Sequence, residues 1–164
     1  MNKYKNKPYR TIFLSFSILL LDQVSKILVL NLLGFQKSTE LIPGIIKLTL
    51  VKNTGAAFSL FSEITPLLTL TSILASIIIF FIIFNLPKRS YWNHIALANL
   101  LGGTLGNGLD RLFRGHVLDF INLVPVNFPI FNIADIAINI AILCFLIDII
   151  KNNKSIKNKN VNIL

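Results

Sequence analysis

At 164 residues, with 54% of them hydrophobic and only 14% charged, the chain is too apolar for an ordinary water-soluble domain and belongs in lipid. The net charge of +9 does not point to nucleic acid, because the basic residues gather at the two ends and in one short loop instead of forming a patch interleaved with aromatics. The lone Cys144 excludes a disulfide framework and a cysteine-ligand metal site.

The first apolar run, Thr11 to Leu33, follows Lys3, Lys5, Lys7 and Arg10. It begins as a signal sequence does, but it is too long and lacks a small-residue cleavage pattern, so it reads as a retained helix. A connection over 34–63 comes next. Within it Ile46, Leu48 and Leu50 alternate with Lys47 and Thr49, which predicts short strands, a β-rich segment able to lie on the outer leaflet. Further spans are predicted at 64–86, opened by Pro66 and stopped by Pro87, at 91–110, and at 133–150, followed by a polar, mobile tail over 151–164. The span at 91–110 is the least hydrophobic, interrupted by Asn99, Gly102, Gly103, Gly106, Asn107 and Asp110. The expected fold class is an all-α membrane protein: one integral membrane domain of four transmembrane helices, with a small extracytoplasmic β-rich segment between helices 1 and 2.

Lysine and arginine counts orient this bundle. Lys3, Lys5, Lys7, Arg10, Lys88, Arg89, Lys151, Lys154, Lys157 and Lys159 fall on one side, and Lys37, Lys47, Lys52, Arg111 and Arg114 on the other. The positive-inside rule therefore puts both termini in the cytoplasm, with Tyr91 and Trp92 at the cytoplasmic interface.

Of seven acids, Asp22, Asp110, Asp119, Asp135 and Asp148 lie within or beside apolar runs. An aspartate at mid-membrane costs about 2.5 to 3.5 kcal/mol on insertion scales, so each needs a partner, a wet cavity or a function. Asp22 and Lys26 share a helix face in the favourable order for an ion pair, which reads first as a structural pair and second as a substrate contact. The Asn and Gly stripe on the third span offers a flat surface for a neighbouring helix, and Asp110 beside Arg111 reads as a charge pair. Asp148 can reach the cytoplasmic interface near Lys151, and neither His94 nor His116 has a second histidine at metal-ligand spacing.

Asp119 sits in Gly115-His116-Val117-Leu118-Asp119-Phe120-Ile121, too short to span and placed near the outer interface, while Asn132, Asp135 and Asn139 share an inward face at the start of the fourth span. Two carboxylates at one depth in a low dielectric cannot both ionise comfortably, so one keeps its proton while the other can activate water. The residues alone leave a second reading open, in which each carboxylate separately caps a helix end.

Five segments in order, Asp22-Gln23-Val24-Ser25-Lys26, Asn53-Thr54-Gly55-Ala56-Ala57-Phe58-Ser59, Gly102 to Arg111, Gly115 to Phe120, and Phe131-Asn132-Ile133-Ala134-Asp135, make the chain resemble the lipoprotein signal peptidase family, signal peptidase II. The resemblance covers nearly all of the chain outside the basic ends. It implies an aspartic endopeptidase of the bacterial cytoplasmic (inner) membrane, cutting a prolipoprotein just before a cysteine that carries diacylglycerol. It further implies Asp119 and Asp135 as the catalytic pair, and Asp22, Lys26, Asn53, Gly55, Phe58, Asn107, Asp110, Arg111 and Asn132 as substrate-binding or supporting positions. No metal or other cofactor is implied. The expected partners are the lipid-modified precursor and membrane lipid, and the expected state is a monomer. Two other classes compete on the acids alone: a proton- or ion-coupled carrier, for which four helices without an internal repeat are few, and a noncatalytic scaffold, which would tolerate loss of Asp119 or Asp135.

Overall fold

A computed structural model describes residues 8–35, 37–55, 65–85, 90–126 and 128–161, the stretch 153–161 as backbone only. Phe58, the basic residues Lys3, Lys5, Lys7, Lys88 and Arg89, and the stop at Pro87 lie outside the described residues. The elements follow in the order α1 (Pro8–Leu33), β1 (Ser38–Ile42), β2 (Ile46–Asn53), α2 (Thr65–Asn85), α3 (Tyr91–Arg114), β3 (Val117–Leu123) and α4 (Ile133–Val161).

Helix α1 buries mainly polar side chains and exposes apolar ones. On α1 the buried positions are Thr11, Ser15, Ile18, Asp22, Lys26 and Val29, three or four residues apart and therefore one stripe, whereas Phe13, Phe16, Leu20, Leu21, Leu28 and Leu32 are exposed. In hydrocarbon the exposed apolar face is at home, and the polar stripe must find its partners within the protein. α1, α2 and the Ile133–Asn152 part of α4 are each long and apolar enough to cross a membrane. α3 is less apolar because its buried face carries Asn99, Gly102, Gly103, Gly106, Asn107 and Asp110, and it packs against all three other helices.

Glycine makes that packing possible. A Cβ on Gly102 would stand 2.7 Å from the Ser15 carbonyl oxygen, and one on Gly103 would stand 2.6 Å from that of Ala134, so α1 and α4 both approach α3 at backbone contact. Ser90 caps the start of α3, accepting from the Asn93 amide at 3.1 Å. The helix runs one turn past the expected end at Asp110, because the left-handed residue that closes it is Gly115 (φ 73°), whose N–H donates to the Arg111 carbonyl at 3.1 Å.

The sheet extends the expected β-rich segment. The connection between α1 and α2 does form β1 and β2, but they are joined by β3, from the connection between α3 and α4, in an antiparallel sheet of order β1-β2-β3. A two-stranded hairpin is marginal by itself, and the apolar Val117–Leu123 stretch completes it. Leu50, Leu118 and Phe120 pack beneath this sheet against Val29 of α1. The polar tail expected from Lys151 onward instead continues α4 to Val161, since no proline or glycine between them stops the helix.

Candidate active site

Between β2, β3, the end of α3 and the start of α4 lies a cavity of about 790 Å³. Asn53, Asn107, Arg111, Asp119 and Asp135 supply its polar wall, and Phe131, Ile136, Ile140 and Leu143 are among its apolar lining. A few convergent polar groups in an apolar cleft is the usual composition of a ligand site.

Strand alternation aims Asp119 into this cavity. Leu118 and Phe120 point to the core under the sheet, so Val117 and Asp119 point the other way. Asp119 is 2% exposed, yet both its oxygens are bonded: Asn53 Nδ2 donates to Oδ2 at 2.8 Å and Asn132 Nδ2 to Oδ1 at 2.6 Å. Its carboxyl is pushed up to about 6: burial raises it most, the Asn53 hydrogen bond lowers it, and the charge of Asp135 raises it.

Asp135 arrives by a different route. After β3 the chain doubles back, and Phe131 pairs with Ile121 through amide-to-carbonyl bonds of 3.1 Å and 2.8 Å, which sets Asn132 beside Asp119. Asn132 then opens α4: its Oδ1 accepts the Asp135 amide at 3.0 Å, and Asp135 Oδ2 accepts the Asn132 amide at 3.1 Å, a reciprocal cap. The other Asp135 oxygen accepts from Asn107 Nδ2 at 2.8 Å. The helix-cap reading is thus true of Asp135, while Asp119 lies on a strand and caps nothing. Asn132 bonds to both carboxylates.

The remaining expected residues divide into two groups. Gly55 and Arg111 border the cavity wall: Asn53 Oδ1 accepts the Gly55 amide at 3.0 Å, and Arg111 donates to the Gly55 carbonyl at 3.1 Å. Asp22, Lys26 and Asp110 form a fully buried ion cluster behind the wall, with Lys26 Nζ 2.8 Å from Asp22, 2.9 Å from Asp110 and 3.1 Å from Asn107 Oδ1. The expected pairing of Asp110 with Arg111 is not observed. Adjacent helical residues point about 100° apart, so Asp110 pairs with Lys26 and with Arg114 one turn on, and Arg111 donates to the Gly55 carbonyl and lines the cavity that holds the two carboxylates.

Two members of this network escaped the sequence reading. Gln23 Nε2 donates to Asp22, Asp110 and the Gly106 carbonyl at 3.1, 3.2 and 3.1 Å, and Arg114 bridges Gln23 and Asp110. The four-residue spacing of Asp110 and Arg114 was a legible signal; nothing local marks Gln23. Far from the cavity, His94 bonds Thr11 at 2.9 Å, and Lys151 lies 4.8 Å over the Trp92 ring.

The chain matches the family model for signal peptidase (SPase) II over residues 14–151. The lipoprotein signal peptidase of Parasynechococcus marenigrum is 48% identical over 132 residues, covering 80% of this chain and 83% of the relative. That of Enterococcus faecalis is 34% identical over 137 residues, covering 84% and 85%. A bacterial membrane enzyme solved by the in meso method at 2.3 Å resolution superposes with a TM-score of 0.86 at 27% identity, covering 93% of this chain and 94% of that one. On this evidence the chain belongs to the signal peptidase II family.

Proposed function

We propose that Asp119 and Asp135 are the catalytic pair of an intramembrane aspartic endopeptidase that cuts a prolipoprotein just before its diacylglyceryl-modified cysteine. Membership of the family makes the protein a peptidase that removes signal peptides from prolipoproteins. The single observation that carries the assignment of residues is that the Asn132 side chain and amide bind both carboxylates at the rim of one cavity.

One proton serves two acids here. The ionised carboxylate takes a proton from water, the water oxygen attacks the scissile carbonyl, and the protonated carboxyl donates a hydrogen bond to the developing oxyanion. The proton taken from water passes to the departing amine. With one proton retained, the pair carries one negative charge, and the guanidinium of Arg111 interacts with both acids and offsets it. Asn53, Asn107 and Asn132 hold the carboxylates, Gly55 and Arg111 shape the wall, Asp22, Lys26 and Asp110 support it from behind, and Phe58 clamps the substrate.

The setting is the bacterial inner membrane, with a monomer crossing it four times and both termini cytoplasmic. α3, 24 residues long, reaches about 36 Å at 1.5 Å per residue, enough to cross a hydrocarbon core of about 30 Å, and its polar face is covered by the other helices. The cavity then lies at the outer face, where a lipid-anchored precursor can enter from the bilayer.

The test is turnover of a diacylglyceryl-modified precursor by purified protein, followed by product mass. Asp119→Asn and Asp135→Asn should each remain inserted and folded and lose turnover. Full turnover in either variant removes that residue from the pair.

A further inference from the structure

We infer that Lys26, with Asp22 and Asp110, forms a double clamp that fixes the spacing of the two cavity carboxylates by holding the backbone immediately before each of them. The inference rests on the reading of Asp119 and Asp135 as the catalytic pair and adds a device that positions them.

Five bonds define the clamp. Lys26 Nζ stands 2.8 Å from Asp22 Oδ2 and 2.9 Å from Asp110 Oδ2, and none of the three side chains is exposed. Asp22 Oδ1 accepts the Ala134 amide at 2.9 Å. Asp110 Oδ2 accepts the Leu118 amide at 3.2 Å. Ala134 and Leu118 are the residues directly before Asp135 and Asp119. The fifth bond, Lys26 Nζ to Asn107 Oδ1 at 3.1 Å, ends on the side chain whose Nδ2 donates to Asp135.

Each carboxylate lies on a different element, α1 or α3, and each grips a third, α4 or β3. The three donors of one ammonium are thereby spent on three acceptors that converge on the pair. A buried ion pair is weak evidence for stability, because desolvation offsets most of its attraction. A cluster whose outward bonds both end one residue from a reacting group has a stronger explanation in pre-organisation, where a misplacement of 1 Å can cost on the order of 100-fold in rate. Gly106 fits the same account: a Cβ there would stand 2.5 Å from Asp22 Oδ2, so only glycine leaves the clamp its place.

The discriminating experiment compares Asp22→Ala and Asp110→Ala with Asp22→Asn and Asp110→Asn, measuring kcat and KM per folded molecule. Asparagine keeps an acceptor for the amide and alanine does not. The clamp predicts that the alanine variants lose kcat by roughly 10- to 100-fold with KM little changed, and that the asparagine variants recover most of it. Equal kcat in alanine and asparagine variants overturns the inference. Should an alanine variant fail to insert, Asp22→Asn combined with Lys26→Met decides instead: it leaves Asp110 paired with Arg114 and the Asp22 site unanchored. Reduced kcat in that variant supports the clamp, and wild-type kcat overturns it. Asp119→Asn and Asp135→Asn serve as the separate control. Turnover in those variants sinks the catalytic pair, whereas dead pair variants beside fully active Asp22→Ala and Asp110→Ala sink the clamp alone.

Discussion

Asn53 and Asp119 are diagonal neighbours across β2 and β3, joined at 2.8 Å although 66 residues separate them. The diagonal depends on one irregularity. Leu48 pairs with Ile121 and Val51 with Asp119, so β2 carries one extra residue between those pairs. Continuing the register of Leu48 without it would set Leu50 opposite Asp119 and Lys52 on its diagonal. Lys52 instead lies 4.4 Å over the Phe35 ring, and the acid receives a neutral donor.

Asn53→Ala should therefore shift the pH dependence in a definite direction. Asn53 donates to the ionised form of Asp119, so removing it disfavours ionisation and raises a carboxyl already at about 6. In the profile of kcat/KM against pH, which reports the free enzyme, the limb belonging to Asp119 should move to higher pH. A limb that stays in place, or moves down, would show that the bond does not act on the ionised acid.

Asn132 separates stability from turnover. Its Oδ1 caps α4, whereas its Nδ2 donates to Asp119 and, at 3.0 Å, to Asn107 Oδ1. Serine can replace the first role and cannot reproduce the second. Asn132→Ser should cost about 1 kcal/mol or less through the cap, visible as a small drop in melting temperature in detergent, while turnover falls at least about tenfold, as loss of a positioning bond does. Parallel losses in both measurements would make Asn132 a structural cap and nothing more.

How much of this was legible depended on whether the signal was local. The polar stripe on α3, the Asp22 and Lys26 pair and the Asn132-to-Asp135 spacing each lie within a single helix, over about three turns or fewer, and the residues themselves state their geometry. β3 was not legible as a strand, because a short apolar stretch between two spans carries no period that separates strand from interfacial helix. Nor could spacing alone join Asn53 to Asp119, since that contact depends on a bulge and on strand pairing between two distant connections. Residues from the five ordered segments gather around one cavity, and only the folded arrangement shows that Asp110 turns to Lys26 and Arg114 instead of to Arg111.

The glycines of α3 should differ in their tolerance of a methyl group. On Gly103 a Cβ would meet the Ala134 carbonyl oxygen at 2.6 Å and Ile138 Cγ1 at 2.9 Å, and backbone cannot step aside. On Gly108 it would meet only the Ser72 side chain, at 3.1 Å. Overpacking of the first kind costs about 1 to 3 kcal/mol. Gly103→Ala should therefore lower the melting temperature clearly more than Gly108→Ala, and Ser72→Gly should relieve the second variant. Equal effects would mean that α4 does not approach α3 at backbone contact.

Asp148 tests whether an acid in an apolar helix must be functional. It sits on α4, 13 residues beyond Asp135 and so about 20 Å along the helix, where it accepts from Ser90 Oγ, from Asn93 Nδ2 at 3.4 Å and from Asn152 Nδ2 at 3.3 Å. These partners tie the capped start of α3 to the far end of α4, a structural duty that needs an acceptor and no charge. Asp148→Asn keeps an acceptor oxygen, so turnover of the lipidated precursor should stay within about twofold of wild type, with a melting temperature lowered by the weakening of a charge-assisted bond, about 1 kcal/mol. Ser90→Ala, which removes the α3 cap as well, should lower the melting temperature further, again with kcat preserved. A tenfold loss of kcat per folded molecule in Asp148→Asn would place this acid in the reaction after all, and would reopen a proton path running the length of the bundle, of the kind that intramembrane acids mark in carriers.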